Sequence, residues 1–212
     1  MPTSSPETIT LADGKIRCAF QIQDPVFRAY HDREFGRPVA DDRRVFEKIC
    51  IETFGAGLSF LQMLNRREAF RAAFDNFEFA AIAEYDADMV DHIMQAPGML
   101  RNRRKIAAVL HNARRALELR EEYGSLAAFL WSFEPAPGDR PAVITEKYLR
   151  ANPTPPSAQA MAKALRQRDW KWVGPYGLYA VQQSLGVVND HFAGCFCREE
   201  CAELRQGFVR PG

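Results

Sequence analysis

The chain has 212 residues, 47% of them apolar, which suits one large domain or two small lobes sharing a core. No window approaches the ~18 consecutive apolar residues of a membrane span, and the polar stretch Met1–Lys15 lacks the apolar run of a secretion signal. Lys and Arg number 28 against 27 Asp and Glu, a net charge of +1, so any nucleic-acid role must rest on local clustering and not on a basic excess.

The polar stretch 1–15 reads as a flexible lead, followed by a single all-α domain over 16–201 and a tail at 202–212. Asp24-Pro25 opens a helix with an N-cap and a proline at the first position, and Gly36 stops it. Asp41 or Asp42 begins a second helix carrying Val45, Phe46, Ile49 and Cys50 at helical spacing. Gly55-Ala56-Gly57 is too rich in glycine for a helix interior and reads as a turn. Ser59 then caps a third helix that buries Leu61, Leu64 and Phe70. Asp86 starts a helix ending before Pro97-Gly98, and a long amphipathic helix follows from about Arg101 to Tyr123. Ser125 caps a short apolar helix through Phe133. Residues 134–156 are rich in proline without clear periodicity and read as a surface loop. Helices over 157–168 and 175–185 complete the set, and no alternating strand pattern is evident.

Five cysteines, an odd number, in a chain without an export signal suggest reduced thiols and a cytoplasmic location. Four of the Cys and His residues form half-sites near the two ends: Cys18 with His31, and His191 with Cys195. Two thiolates and two imidazoles make a closed tetrahedral shell for structural zinc, with no open position for a catalytic water. The same residue types also serve as ordinary core residues.

The segment Ala96-Pro97-Gly98-Met99-Leu100 joins two helices, and the second begins with four cations in five residues, Arg101 to Lys105. Free N–H groups and the positive dipole end there suit a phosphate, as in a helix-hairpin-helix element that grips DNA by its backbone. A plain helical turn with a solvated basic face is the competing reading. A second cluster, Lys163, Arg166, Arg168 and Lys171, is interleaved with Trp170 and Trp172, which read as core anchors. Glu52 stands in an apolar context where an unpaired carboxylate is costly. Phe20, Phe27, Tyr30, Phe35 and Phe60 could wall a pocket with this acid at its base. Such a pocket receives a flat, electron-poor ring by stacking and cation–π attraction, although most phenylalanines are simply core.

The strings Arg17-Cys18, Tyr30-His31-Asp32 with Glu34 and Gly36, Ile51-Glu52 with Ala56-Gly57-Leu58-Ser59, Arg101-Asn102-Arg103 with Lys105-Ile106, Asn112-Ala113, Leu130-Trp131-Ser132-Phe133, Lys171-Trp172-Val173-Gly174-Pro175 and Val188-Asn189-Asp190-His191 resemble, in order and spacing, the 3-methyladenine DNA glycosylase I family. The resemblance spans roughly Arg17 to Cys197. It implies an all-α helix-hairpin-helix glycosylase fold and structural zinc held by Cys18, His31, His191 and Cys195. The rival ligand set is a local C-terminal one of His191, Cys195, Cys197 and Cys201. It further implies a monofunctional enzyme that flips 3-methyladenine out of double-stranded DNA, stacks it among the aromatic residues and hydrogen-bonds it to Glu52. Gly98, Met99, Arg101 and Lys105 then face the DNA backbone. Leu58 is a candidate wedge for the emptied stack, or else packed. The expected enzyme is a monomer with no membrane partner.

The chain departs from this family at several points. Phe20, Phe35 and Phe60 stand where the family usually carries tryptophan, Phe27 where it carries tyrosine, Gly55 for glutamine and Tyr176 for a frequent threonine. Each Trp→Phe change keeps an aromatic face but loses area and a donor, which predicts a reshaped pocket. The alternative to an active glycosylase is therefore a weak or inactive relative that binds alkylated DNA or another flat ring.

Overall fold

The structure, a computed structural model, describes residues 7–20 and 22–212; the first six residues of the expected lead lie outside them. The segment that follows forms a small antiparallel hairpin, β1 (Thr8–Thr10) and β2 (Ile16–Cys18), with Thr8 opposite Cys18. Three-residue strands are too short to leave an alternating signature, so the expected absence of strands is corrected here. The hairpin delivers Cys18 into the interior. It is fastened by buried Arg17, whose guanidinium forks onto Asp13 and Asp32.

Helices α1 (Pro25–Arg33) and α2 (Asp42–Gly55) begin as their caps dictate. The Asp24 carboxylate accepts from the amides of Val26 and Phe27, and Asp41 accepts from Arg44. Asp42, the other candidate cap, instead accepts from the Ala127 amide across the core. The single helix expected after Ser59 is two: α3 (Phe60–Leu64), closed by a Ser59/Gln62 capping box, and α4 (Arg67–Ala73). The break at Asn65-Arg66 lets the two halves serve different cores. Leu64 joins Phe27 and Tyr30, whereas Phe70 turns into the main core.

A short helix α5 (Phe79–Ala83) precedes α6 (Ala87–Gln95). Helix α7 (Arg103–Tyr123) starts at an Asn102 cap, which accepts from the Lys105 amide, and ends at Gly124. Ser125 caps α8 (Leu126–Trp131). The expected loop over 134–156 contains α9 (Glu146–Ala151), none of whose residues is buried, so no apolar stripe announced it. Then come α10 (Pro156–Gln167), α11 (Pro175–Ser184) and α12 (Phe196–Gln206). Helix α12 crosses the boundary expected at residue 201, and its buried positions are Cys197 and Cys201, four apart on one face.

Helix α2 is the central element, flanked by α7, α8 and α11. Among the described residues, no helix is long and apolar enough to cross a membrane.

Candidate active site and metal centre

Three elements converge on one open cavity of about 950 Å³. Helix α1 contributes Phe27 and Tyr30, the start of α3 contributes Phe60, and α2 contributes Lys48 and Glu52 one turn apart. Phe20, Phe35 and Leu58 complete the side reached from the N-terminal half. The five aromatic residues singled out in the sequence are thus brought together, mostly edge to face. Tyr30 and Phe60 lie 4.9 Å apart, Phe20 and Phe27 6.0 Å, and Phe20 and Phe35 6.1 Å between ring centroids. Such edge-to-face contacts are the favoured geometry for packed rings.

Glu52 lines the same cavity with its side chain 17% exposed, and its Oε1 lies 2.7 Å from Lys48 Nζ. The contact is ionic and not directional, since Oε1 has no well-aligned hydrogen bond. The Lys48 ammonium also sits 3.8 Å from the centroid of the Phe60 ring and 5.4 Å from that of Tyr30. Burial works against its charge, but Glu52 and Tyr30 outweigh that and raise its pKa above the ordinary lysine value. Lys48 was not singled out in the sequence, although its spacing of four from Glu52 was a legible sign of a shared helix face.

The opposite rim comes from the segment before α11. Trp170 is a core anchor, as expected, but Trp172 is not: it is 53% exposed and, like the exposed Tyr176 and Leu58, lines the cavity. Trp172 has a φ of +58° and Asp169 one of +61°, a conformation costly for ordinary residues that surrounding contacts must enforce. Buried Asn112 supplies them, donating to the Lys171 carbonyl at 3.0 Å and accepting from its amide at 2.8 Å. The same turn explains why tryptophan by type alone misled: a large ring is held out, not in.

On the hairpin between α6 and α7, Gly98 adopts φ +78°, and a Cβ there would meet that of Ala69 at 2.8 Å. Arg101 and Arg104 are exposed, while Arg103 is ion-paired with Asp91. Two residues assigned to this DNA face are corrected. Met99 is buried in the main core. Lys105 is buried too, its ammonium donating to the carbonyls of Phe54 and Ala56 at 3.0 and 3.2 Å. It caps the carbonyl end of α2, where unpaired C=O groups and the negative dipole end favour a cation. Burial lowers its pKa. Lys105 therefore ties the hairpin to the cavity rim, and Lys105→Met should cost about 1–3 kcal/mol in urea unfolding by stranding these carbonyls. An unchanged midpoint with weakened DNA binding would restore the phosphate role.

At the back of the aromatic wall, Cys18, His31, His191 and Cys195 are all buried, with their donor atoms within 4.8 Å of one another. Cys195 Sγ lies 3.6 Å from His31 Nε2 and 3.6 Å from His191 Nδ1, and Cys18 Sγ lies 3.7 Å from His191 Nδ1. A tetrahedral zinc with sulfur at ~2.3 Å and nitrogen at ~2.0–2.1 Å sets neighbouring S and N about 3.5 Å apart, so the donor set fits that ion. The outer nitrogens are also engaged: His31 Nδ1 pairs with Asp32 at 2.9 Å, and His191 Nε2 with the Phe35 carbonyl at 2.9 Å. Such partners fix the tautomer that points the other nitrogen inward. Cys197 and Cys201 lie instead near the carbonyls of His31, Asp32 and Phe35, so the rival C-terminal set does not assemble.

The sequence pattern described as methyladenine glycosylase matches residues 20–198. The chain belongs to the methyladenine glycosylase family. DNA-3-methyladenine glycosylase 1 of Escherichia coli is 39% identical over 182 residues, covering 85% of this chain and 96% of that one. The crystal structure of a 3-methyladenine DNA glycosylase I aligns with a TM-score of 0.78 at 39% identity, over 85% of this chain and 98% of that one. The enzyme of this name from Staphylococcus aureus, solved to explain its recognition of 3-methyladenine, aligns with a TM-score of 0.74 at 29% identity, over 86% and 96% of the two chains. This family member is a hydrolytic glycosylase by kinship.

Proposed function

We infer that the protein is a monofunctional, monomeric base-excision enzyme that releases 3-methyladenine from double-stranded DNA. The observation that carries this reading is the partly shielded Glu52 carboxylate at the edge of a ring-walled cavity. A base inside a duplex is out of reach, so the damaged nucleotide swings out into the cavity at a cost of a few kcal/mol, least for damaged pairs. Alkylation at N3 leaves the adenine positively charged and its bond to the sugar weak. The ring departs neutral with the electron pair of that bond, so no side chain has to protonate it. A water adds to C1′ of the sugar and releases its proton to solvent. Glu52 accepts from the base's N–H groups in a site largely screened from water, where a fixed carboxylate acts more strongly than in solution. Leu58, Trp172 and Tyr176, apolar and exposed at the rim, fill the gap left in the stack.

The hairpin acts as a helix-hairpin-helix element, with the free amides at the start of α7 and the exposed Arg101 holding phosphate. Arg101→Glu should weaken binding to every duplex alike, by about tenfold at low salt, and reduce the salt slope by about one. A loss confined to particular sequences would contradict a backbone contact. Zinc bound by Cys18, His31, His191 and Cys195 supplies cross-linking and no catalysis, because four protein ligands close its shell.

Incubation with methylated duplex DNA tests the whole reading. Chromatography should detect free 3-methyladenine, while denaturing gels show strands left uncut before alkaline treatment. Absence of the free base, or direct strand scission, would defeat it.

A further inference from the structure

The cavity is larger than one base needs. At about 950 Å³ it stands at the upper end of the ~300–1,000 Å³ typical of sites that enclose a whole drug-sized ligand. Its side toward α10 is lined by Arg166 and Lys171, and Glu52 is the one carboxylate among the described residues that line it. Both cations belong to the second basic cluster of the sequence, whose neighbouring Arg168 is spent on Glu122 at 2.9 Å. Arg166 is exposed and is steadied by its Nε, which donates to the Ala162 carbonyl at 3.0 Å. Among the described residues, its terminal nitrogens have no protein partner. Lys171 shares the exposed Asp169 with His111, and an exposed pair of this kind is worth little, so a phosphate can displace it. The backbone of Lys171 is fixed by Asn112, which lies seven residues beyond Lys105 on α7. That is about 10 Å along the axis at ~1.5 Å per residue. A DNA strand carries a phosphate every ~3.4 Å of its axis, so Lys171 and the hairpin cannot hold the same one.

We propose that Arg166 and Lys171 form a second phosphate grip, which takes the backbone of the damaged strand beside the displaced nucleotide. The proposal rests on the cavity receiving that nucleotide. The hairpin before α7 meets phosphates on the outside of any duplex. Arg166 and Lys171 instead line a recess, and a backbone that follows an intact double helix does not enter it. Displacing a nucleotide draws its flanking phosphates to the cavity mouth, where the two cations meet their anion. The two grips therefore have separate duties: one holds every duplex alike, and the other captures a strand from which a nucleotide has swung out. Trp172 stands between them, its ring 5.8 Å from Lys105 Nζ and its backbone next to Lys171. The costly turn, with φ +61° at Asp169 and +58° at Trp172, keeps Lys171 at the recess.

Two duplexes of one sequence separate the duties: one intact, the other with a single tetrahydrofuran abasic analogue that leaves the stack readily. Affinities are read by fluorescence anisotropy across a range of salt. Arg166→Gln and Lys171→Gln should each weaken binding to the analogue duplex by about fivefold to tenfold and reduce its salt slope by about one. Binding to the intact duplex should stay within about twofold. Lys171→Gln leaves the main-chain bonds to Asn112 in place, and thermal melts establish that both variants fold. Equal losses on the two duplexes, or no loss on either, would overturn the proposal. Neutral methylphosphonates walked along the strand that bears the analogue should include a position at which Arg166→Gln costs nothing further. A cost unchanged along the whole series would equally defeat a phosphate contact. Release of 3-methyladenine alongside equal losses would leave the glycosylase reading intact without the second grip. The expected losses without any release would keep the grip and remove the hydrolase reading instead.

Discussion

Glu52→Gln is expected to slow release of 3-methyladenine by about 10²–10³-fold, the usual consequence of removing one preorganised electrostatic group from an active site. The amide has nearly the shape of the carboxylate, so the cavity keeps its form. What changes is charge and acceptor capacity: one of the two oxygens becomes an NH₂ group, which opposes an N–H of the base. Lys48, buried over Phe60, also loses its counter-ion, and a stranded buried charge is worse than none. The defect should fall on the single-turnover rate at saturating enzyme, with a smaller effect on duplex affinity, since the proposed phosphate contacts lie at the hairpin before α7, away from Glu52. A loss below threefold would remove Glu52 from the chemistry.

Cys18→Ser and His191→Ala should each lower zinc content and stability together, by about 4 kcal/mol, or roughly 10 °C in Tm for a chain of this size. The four donors come from β2, α1 and the segment before α12, elements otherwise joined by modest contacts. Without an ion, the two thiols and two imidazoles are left with weak sulfur–nitrogen contacts at 3.6–3.7 Å in a buried site, a poor exchange for metal bonds. Metal content by atomic spectroscopy and calorimetric melts decide the matter. Unchanged zinc in both variants would mean that these residues are a packed cluster and no metal site. Cys50→Ala, buried in the main core away from the four donors, serves as the control for loss of a buried thiol.

Much of the fold was legible wherever the signal was local. Asp24, Ser59, Asp86 and Ser125 each cap the helix they were expected to cap, because a cap depends on a few adjacent residues. Helix α9 escaped because it buries nothing, and periodicity exists only where one face is covered. Helix α12 escaped because its buried residues are cysteines, which chemistry made conspicuous as donors before packing was considered. In the cavity, Glu52 and the five rings were legible as an acid and aromatics in excess of what one helix needs. Lys48, Met99, Lys105 and Trp172 were not. The exposure of each is set by a partner elsewhere in the chain: Phe60 for Lys48, the main core for Met99, the end of α2 for Lys105, Asn112 for Trp172. Residue type fixes how costly burial is and leaves open whether a partner across the molecule offsets it.

Phe35 belongs to two neighbourhoods at once. Its carbonyl accepts from His191, its ring lies 5.0 Å from the same imidazole, and that ring also lines the cavity. Gly36, whose missing Cβ would come within 3.0 Å of His191, keeps the two pressed together. There is thus no compliant joint between scaffold and receptor. Any displacement of the His191 ring is therefore passed directly to the Phe35 ring that lines the cavity.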